Sequence, residues 1–375
     1  MNILTFDWEV TTHNKGSPFD YRNKAVCIGF KGAAQEPSCE FDSWFQAAKA
    51  VEAADVLVGF NAKFDLHWLR REGISFEDKR AWDCQVAEFI IEGQTNPYPS
   101  LQDTATKYGL GSKLDVIKTE YWDKGIQTDA IPREILSEYC IQDVNLTYQI
   151  YLKQQEYLAD KPAMKRLISL ACQDLLVLQE MEWNGLVYDE QLCKQREEQL
   201  AAELSTLQTQ LAQIYPDVPI NFGSGDQLSA FLYGGVVFQD GKEHVGFFKS
   251  GERKGQPKYK NITIEHKLPR LVEPLKNTEL KKPGFWKTDE GTLRKLKGPA
   301  AKRFVGPLLE MARLEKLLST YYKGLPDKNQ EGHWPSGMIH GQFNQCVAAT
   351  GRLSSSKPNL QNFAGECLDI FVTRF

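Results

Sequence analysis

The sequence predicts an α/β domain over residues 1–158, followed by a mainly helical region and a short β segment near the C-terminal end. Three observations support this fold class. Apolar and polar residues alternate along Ile3–Val10, as they do in a strand. An apolar run at residues 55–59 leads through turn residues into a helical pattern. Beyond Tyr157, apolar residues recur at spacings of three and four, which is typical of long amphipathic helices.

The length and composition are those of a globular protein. The chain has 375 residues, of which 42% are hydrophobic and 25% are charged. This predicts two domains or slightly more and excludes a disordered or collagen-like chain. No apolar run approaches the ~18 residues that a membrane helix needs, and residues 1–7 lack the basic start and cleavage site of a signal peptide. We therefore expect a cytoplasmic protein.

The eight cysteines are widely spaced and form no C-x-x-C pair. Such spacing disfavours both a zinc site and a disulfide framework. We expect all eight to be reduced residues of the core or the surface. They are Cys27, Cys39, Cys84, Cys140, Cys172, Cys193, Cys346 and Cys367.

The net charge of −4 conceals a strongly basic segment. Residues 249–303 contain sixteen Lys and Arg residues against six acidic residues, and aromatic residues such as Tyr259 and Trp286 are interleaved with them. A nucleic-acid backbone suits this pattern, because each neutralised phosphate releases a counterion. A solvated charged loop explains the charges equally well, so both interpretations stay open.

The first strand carries two carboxylates on one face. Successive side chains of a strand take opposite faces, so Asp7 and Glu9 stand side by side, ~7 Å apart along the strand. Carboxylates at this distance repel each other, and a divalent cation between them would relieve the repulsion. A solvent-facing strand is the alternative, because a lone D-x-E pair is common by chance.

A further carboxylate, Asp65, lies in the first turn of the helix predicted over residues 63–72. It follows the carboxyl end of the strand at 55–59, which is where ligands bind in open α/β sheets. A favourable interaction with the helix dipole is the alternative role. Two more helices are predicted from their caps, one beginning at Asp83 and one at the capping box that starts with Ser100.

The last helix of this region opens at Pro132 and continues to about residue 158. Within it Tyr139 and Asp143 are four residues apart, so they share one face and can meet on a common target. Taken alone, Tyr139 fits a core aromatic residue equally well.

The three motifs together are more specific than any one of them. Residues 6–9, 59–65 and 139–143 read F-D-W-E, G-F-N-A-K-F-D and Y-C-I-Q-D in that order. This order resembles the three exonuclease motifs of the DEDD exonuclease superfamily, in its tyrosine-bearing subgroup. The resemblance covers residues 1–155 and implies a mixed α/β sheet of the ribonuclease H-like kind.

The resemblance implies a 3′→5′ exonuclease with two Mg²⁺ or Mn²⁺ ions ~4 Å apart, one activating the attacking water and the other stabilising the departing 3′-oxygen. Carboxylate oxygens are hard ligands that suit these ions. The implied metal ligands, which are also catalytic, are Asp7, Glu9, Asp65 and Asp143.

The resemblance also assigns roles around the carboxylates. Tyr139 would orient the attacking water, since a phenol with a pKa of ~10 is a poor base at neutral pH. We expect Asn61 and Phe64 to contact the terminal nucleotide, with Phe64 stacking without base preference. His67 lies on a different helix face from Asp65 and is expected to be non-catalytic.

The C-terminal part carries a second resemblance. Residues 350–355 read T-G-R-L-S-S, and P-N-L-Q-N follows at 358–362. This run looks like family A DNA polymerases, and weaker matches upstream resemble the thumb of that family. The two resemblances together cover nearly the whole chain. They imply an exonuclease domain at 1–158, a helical thumb at 159–338 with a basic insertion at about 240–303, and the start of the polymerase palm at 339–375.

Such a chain is expected to bind a DNA primer-template and a single-stranded 3′ end. The minor groove offers an acceptor at every base pair, which Arg352, Gln361 and Asn362 could contact as donors. Ser354 and Ser355 suit contacts to sugar or phosphate. The full set of expected DNA-binding residues is Asn61, Phe64, Thr350, Arg352, Ser354, Ser355, Asn359, Gln361, Asn362, Lys254, Lys258 and Lys260.

The family continues beyond residues 370–375 into the palm aspartates and the nucleotide-binding fingers, and Cys367 to Asp369 lack an expected basic residue. We therefore expect no polymerisation by this chain alone. The chain is either a fragment or one half of a polymerase split between two polypeptides, whose unpaired palm strand would be a docking edge. An exonuclease that begins at Met1 resembles phage-type replicative enzymes, which would place the protein in the host cytoplasm.

Three functional hypotheses follow. The first is an active proofreading exonuclease attached to part of a DNA polymerase. The second is a DNA-binding subunit of a split polymerase, whose chemistry requires a second chain. The third is a degenerate exonuclease fold that only supports the thumb, and the four intact carboxylates argue against it. Whether the basic insertion recruits a processivity partner stays open.

Overall fold

The computed structural model describes residues 1–111, 116–251 and 253–373. The strands are β1 (Ile3–Val10), β2 (Ala25–Gly32), β3 (Ser38–Phe41), β4 (Val56–Gly59), β5 (Arg80–Asp83), β6 (Leu186–Tyr188), β7 (Gly235–Phe247), β8 (Pro257–Leu268), β9 (Met338–Ile339), β10 (Gln342–Asn344), β11 (Ser354–Ser356) and β12 (Phe371–Val372). The helices are α1 (Phe45–Ala53), α2 (Ala62–Arg71), α3 (Cys84–Ile91), α4 (Leu101–Lys107), α5 (Val116–Glu120), α6 (Arg133–Tyr157), α7 (Pro162–Asn184), α8 (Glu190–Ala212), α9 (Gly225–Tyr233), α10 (Glu290–Leu293), α11 (Pro299–Leu317) and α12 (Gly324–Gln330). In the described ranges, none of these helices has the length and apolar composition that crossing a membrane requires.

The chain divides into two compact units. The first unit contains residues 1–190 and the stretch from Leu325 onward, and the second unit contains residues 191–324. The C-terminal stretch joins the first unit because β6 pairs with both β9 and β12. The boundaries of the two compact units therefore differ from those of the predicted domains, which are 1–158, 159–338 and 339–375. The predicted domains describe a family relationship and stay a prediction.

The first unit is built on a five-stranded mixed sheet in the order β3-β2-β1-β4-β5. Strands β1, β4 and β5 are parallel, and β2 and β3 continue the sheet in antiparallel pairing. This arrangement confirms the predicted α/β class with a mixed sheet. The carboxyl ends of β1 and β4 point the same way, so Glu9 and the start of α2 lie at the same edge of the sheet.

Helices cover both faces of the central strand. Leu4, Phe6 and Trp8 belong to a core that includes residues of α1 and α2. On the opposite face Thr5 and Glu9 are also buried, and α6 packs across β1 and β2 on this unit. The face of β1 that carries Asp7 and Glu9 is therefore covered by α6. The sequence had left a solvent-facing strand as an alternative, and the structure excludes it.

The close approach of α6 depends on a glycine in β2. A Cβ atom at Gly29 would lie 2.7 Å from Cys140 Sγ and 2.8 Å from Val144 Cγ2, both on α6. Such contacts are too short for real carbon atoms, so any larger residue would push the helix away. Gly29 is paired with Asp7 in the β1–β2 ladder. The contact between Gly29 and α6 therefore sets the distance from α6 to the part of the sheet that carries the carboxylates.

The second unit is mainly helical, as predicted. Its core contains Phe231 from α9 and Phe304, Leu308 and Met311 from α11, and a π-helical turn at Leu318–Tyr322 extends α11. The long β7–β8 hairpin was not predicted. Its second strand lies in the first part of the basic segment, and the base of the hairpin is anchored by buried Val237 and Leu268.

We expect Gly29→Ala to destabilise the first unit by about 1–3 kcal/mol, as overpacking in a tight core does. Urea unfolding followed by tryptophan fluorescence would measure the loss. Gly365→Ala is the matched control, because a Cβ at Gly365 meets no atom within 4 Å. Equal midpoints for both variants would contradict the role of Gly29 as a spacer.

Candidate active site

Two elements bring three predicted carboxylates to one edge of the sheet. Strand β1 supplies Asp7 and Glu9, and the first turn of α2 supplies Asp65. The backbone N–H of Trp8 donates a hydrogen bond to Asp65 Oδ1 at 3.0 Å. This bond ties α2 to β1 at the residue that separates the other two acids, which accounts for their convergence.

Helix α6 adds the fourth carboxylate and the tyrosine. Tyr139 and Asp143 are both buried in the packed face of this helix. Burial raises the pKa of Tyr139, and the charges of Glu9, Asp143 and Asp7 raise it further. The phenol is therefore neutral at physiological pH.

The carboxylates are held close to one another in spite of their charge. Burial raises the pKa of Asp65 well above its ordinary value, and repulsion from Asp7 adds to the shift. Glu9, Asp65 and Asp143 are only 7%, 3% and 2% exposed. Buried like charges of this kind are costly unless cations balance them. The donor set of carboxylate oxygens therefore fits hard divalent cations such as Mg²⁺ or Mn²⁺.

Three cysteines lie behind this site, contrary to the expectation of scattered thiols. The Sγ atoms of Cys27, Cys39 and Cys140 lie within 4.8 Å of one another. Wide spacing in sequence did not keep them apart, because β2, β3 and α6 meet here. All are free thiols. Cys140 Sγ also donates to the backbone oxygen of Asp7 at 3.7 Å and shares a cluster of possible ligand atoms, within 4.8 Å, with the carboxylates of Asp7 and Glu9.

The start of α2 is held by a residue whose full role the sequence did not reveal. Asp83 caps α3, as predicted, by accepting hydrogen bonds from the backbone N–H groups of Gln85 at 2.8 Å and Val86 at 3.2 Å. It also accepts from the N–H groups of Asn61 at 3.2 Å and Ala62 at 2.9 Å. One buried carboxylate thus fixes the beginnings of two helices. Burial raises its pKa, although the four N–H groups favour its charged form.

Asn61 and Phe64 lie where the sequence placed them, at the amino end of α2. Asn61 has a left-handed backbone conformation, with φ of 65°, and it is exposed. Phe64 is half-buried. Both residues are one helical turn or less from Asp65, so they border the carboxylate site.

A second buried carboxylate joins α2 to α7 and to β10. Glu182 Oε1 lies 2.5 Å from Lys63 Nζ and accepts from the backbone N–H of Phe343 at 2.6 Å. Lys63 also donates to the backbone oxygen of Phe343. The helix that carries Asp65 is therefore linked directly to the C-terminal strands.

His67 completes this junction as a neutral side chain. Its Nε2 is 2.9 Å from Glu182 Oε2, and its Nδ1 is 3.2 Å from Gln179 Nε2. A neutral ring that donates from Nε2 and accepts at Nδ1 satisfies both partners. Burial lowers the pKa of His67. These contacts explain its buried position, and its non-catalytic character stays a prediction.

The predicted DNA-binding residues of the C-terminal stretch lie before, in and after β11. Thr350, Arg352 and Gln361 are exposed, and Asn359 accepts a hydrogen bond from the N–H of Gln361 at 3.0 Å. Ser354 is half-buried and Asn362 is exposed. Ser355 differs from the others, because it is buried and accepts from the N–H of Leu360 at 3.0 Å. In this structure its hydroxyl holds a turn.

The three predicted lysines lie apart from these groups in the chain. Lys254, Lys258 and Lys260 belong to the β7–β8 hairpin region of the second unit, and all three are exposed. The structure thus places the predicted catalytic residues in one unit and the basic segment in the other.

We expect Asp83→Ala to lower the free energy of unfolding of the first unit by about 2–4 kcal/mol, since two helices lose a cap and buried N–H groups lose an acceptor. Asp83→Asn keeps one acceptor oxygen and should cost less. Urea midpoints would measure both. Ser100→Ala, which removes a single cap of α4, is the control, and an equal loss there would refute the double role.

The junction around Glu182 predicts a pH dependence. His67 stays neutral when folded but takes up a proton below its ordinary pKa of 6.5 when unfolded. Stability is therefore full above pH 6.5 and falls as the pH drops below it. Burial would raise the pKa of Glu182, but its bond to His67 and the charge of Lys63 lower it overall from 4.5, so a further loss follows in acid.

Urea unfolding between pH 7.5 and 5 would measure this dependence. His67→Gln should flatten the decline in the free energy of unfolding. His13→Gln, which also removes one histidine but does not contact Glu182, should leave the decline in place. A wild-type curve that is level across this range would rule out the linkage.

Comparison with known proteins agrees with this geometry. Residues 13–159 match the 3′-5′ exonuclease family, and residues 258–367 match DNA polymerase family A. The first match begins after Asp7 and Glu9 and includes Asp65, Tyr139 and Asp143. The second includes the polar C-terminal residues from Thr350 onward.

Related sequences cover most of the chain. DNA polymerase I of Synechocystis sp. is 29% identical over 307 residues, which make up 80% of this chain and 26% of that protein. DNA polymerase I of Bacillus subtilis is 26% identical over 311 residues, or 81% of this chain and 29% of that protein. A DNA-directed DNA polymerase of a Pseudomonas phage is 27% identical over 326 residues, or 81% of this chain and 41% of that protein. The chain thus spans well under half the length of these relatives.

A solved structure shares the fold. The POL domain of Pol1 from M. smegmatis, in complex with DNA primer-template and dNTP, superposes with a TM-score of 0.69 at 18% identity, covering 99% of this chain and 55% of that one. These matches identify a 3′-5′ exonuclease domain at residues 13–159 and part of a family A DNA polymerase domain at residues 258–367.

Proposed function

We propose that the first unit is a two-metal 3′→5′ exonuclease that removes nucleotides from DNA 3′ ends and so proofreads for a replicative polymerase of the phage type. One observation carries the proposal. Asp65 at the start of α2 is tied to β1, which carries Asp7 and Glu9, by the N–H of Trp8, and α6, which carries Tyr139 and Asp143, packs on the same strand. An arrangement of buried like charges is stable when divalent cations complete it.

The carboxylates act as ligands in this proposal. Two Mg²⁺ or Mn²⁺ ions bound there would supply an activated water and stabilise the charge on the leaving 3′-oxygen. Asp7 and Glu9 are held by the sheet, and the N–H of Trp8 fixes Asp65 against them. This preorganisation limits the movement that hydrolysis requires.

Tyr139 orients the attacking water rather than removing its proton. Its raised pKa keeps the phenol protonated at neutral pH, so it can donate one hydrogen bond and accept another. The close packing of α6 on Gly29 holds the hydroxyl near the carboxylates. A fixed hydroxyl lowers the entropy cost of placing water in line with the scissile bond.

The DNA strand would enter at the amino end of α2. Exposed Asn61 offers an amide to the terminal nucleotide, and Phe64 offers a ring for stacking. Thr350, Arg352, Gln361 and Asn362 would contact a primer-template through sugar, phosphate and minor-groove acceptors. Asn359, Ser354 and Ser355 support that loop, and Lys254, Lys258 and Lys260 contribute backbone contacts that do not depend on sequence.

The experiment uses a 5′-labelled single strand with Mg²⁺ and the full chain. We expect a ladder that shortens from the 3′ end, which EDTA abolishes. Asp7→Ala should slow the reaction at least a hundredfold, because it removes a metal ligand of the reaction. Glu36→Ala, at an exposed carboxylate on the β2–β3 loop, should cut at the wild-type rate. If Asp7→Ala shortened the labelled strand at the wild-type rate, the proposal would be wrong.

A further inference from the structure

The β7–β8 hairpin displays aromatic rings that no core covers. Phe247 is 58% exposed and Tyr259 is 55% exposed. His244 contacts both, with ring centroids 5.1 Å from Phe247 and 5.5 Å from Tyr259. Only the base of the hairpin is packed, through Val237 and Leu268. The three rings therefore form an exposed aromatic cluster far along the ribbon from its anchor.

The strand register places the three rings on one face. His244 is paired directly with Tyr259, and directly paired residues project to the same side. A bulge between His244 and Gly246 shifts the register by one residue, after which Phe247 is paired with Pro257. Without the bulge Phe247 would face the opposite side. The irregularity in the ladder thus assembles the cluster.

The same part of the hairpin is strongly basic. Residues 242–260 contain six Lys and Arg residues against two acidic residues. Arg253 and Lys258 also lie over the ring of Phe248, at 5.9 and 6.0 Å from its centroid. Lys258 and Lys260 flank Tyr259 and project to the other face. A two-stranded ribbon is thinner than the Debye length of about 8 Å, so these charges act on both faces.

Aromatic rings and positive charges together favour unpaired nucleic acid. A base that is not paired offers its flat face to a ring, whereas the bases of a duplex are already stacked on one another. A protein partner fits less well, because the centres of protein interfaces are depleted of charged residues such as lysine. The composition of the hairpin is that of a surface that tracks a phosphate backbone and stacks bases.

We infer that the β7–β8 hairpin binds single-stranded DNA by stacking bases on Phe247 and Tyr259. This inference rests on the proposed function, since it names the unpaired strand as the form of DNA that the basic segment holds. The lysines attract the backbone over a distance, and the rings then select unpaired bases over duplex. This binding involves no base-specific contact. A proofreading polymerase requires such binding because it acts on any sequence.

The test is fluorescence anisotropy of the full chain with a labelled thirty-nucleotide oligo-dT and with a blunt duplex of the same length, both in EDTA so that no DNA is cut. The double variant Phe247→Ala with Tyr259→Ala should bind the single strand at least tenfold more weakly, since stacking of one base contributes about tenfold. Its affinity for duplex should change less than threefold. Lys258→Gln with Lys260→Gln should weaken both and reduce the salt slope for the single strand by about 1.4.

Phe45→Ala is the matched control. Phe45 is also 58% exposed, and Lys49 lies 4.2 Å from its ring centroid, but it belongs to the first unit. This variant should bind both DNAs as the wild type does. An unchanged single-strand affinity in the Phe247 and Tyr259 variant, or an equal loss for duplex, overturns the inference. Both of these results concern DNA binding and do not depend on the nuclease assay. The proposed function is overturned by a different result, which is cutting by Asp7→Ala at the wild-type rate.

Discussion

The repulsion among the buried carboxylates is the constraint on which the first unit depends. Burial raises the pKa of Asp65, and repulsion from Asp7 and Asp83 raises it further. The fold overcomes this cost with contacts that are unrelated to charge. Strand β1 is covered on both faces, and α6 lies against a glycine where a side chain would not fit. The acids are held in place by packing, which is what the proposed cation site requires.

Two other buried carboxylates stabilise this arrangement from outside. Asp83 satisfies backbone N–H groups of α2 and α3, and Glu182 binds Lys63, His67 and the backbone of Phe343. Each is buried with several donors around it, which is the condition under which a buried charge is tolerated. Both act on α2, the helix that carries Asp65. The position of Asp65 is therefore set by two networks that lie outside the proposed site.

The sequence predicted what local spacing encodes. The alternation of β1, the cap at Asp83 and the four-residue spacing of Tyr139 and Asp143 depend on neighbours in the chain, and the structure agrees with each. The thiol cluster of Cys27, Cys39 and Cys140, the second role of Asp83 and the junction at Glu182 depend on long-range contacts that no local pattern contains. The β7–β8 hairpin was not predicted, because its many charges are typical of a loop. Its apolar residues nevertheless alternate as they do in a strand. A second polypeptide and a cytoplasmic location stay predictions, and the question of a processivity partner stays open.

The junction at Glu182 also bears on how such proteins can evolve. Its carboxylate takes its partners from α2, from α7 and from the C-terminal strands, so it belongs to neither the exonuclease region nor the polymerase region alone. Recombination that replaced only one of these regions would leave a buried charge facing foreign side chains. At this point the two regions share one ion pair, between Lys63 and Glu182, so they must be inherited together or repaired together.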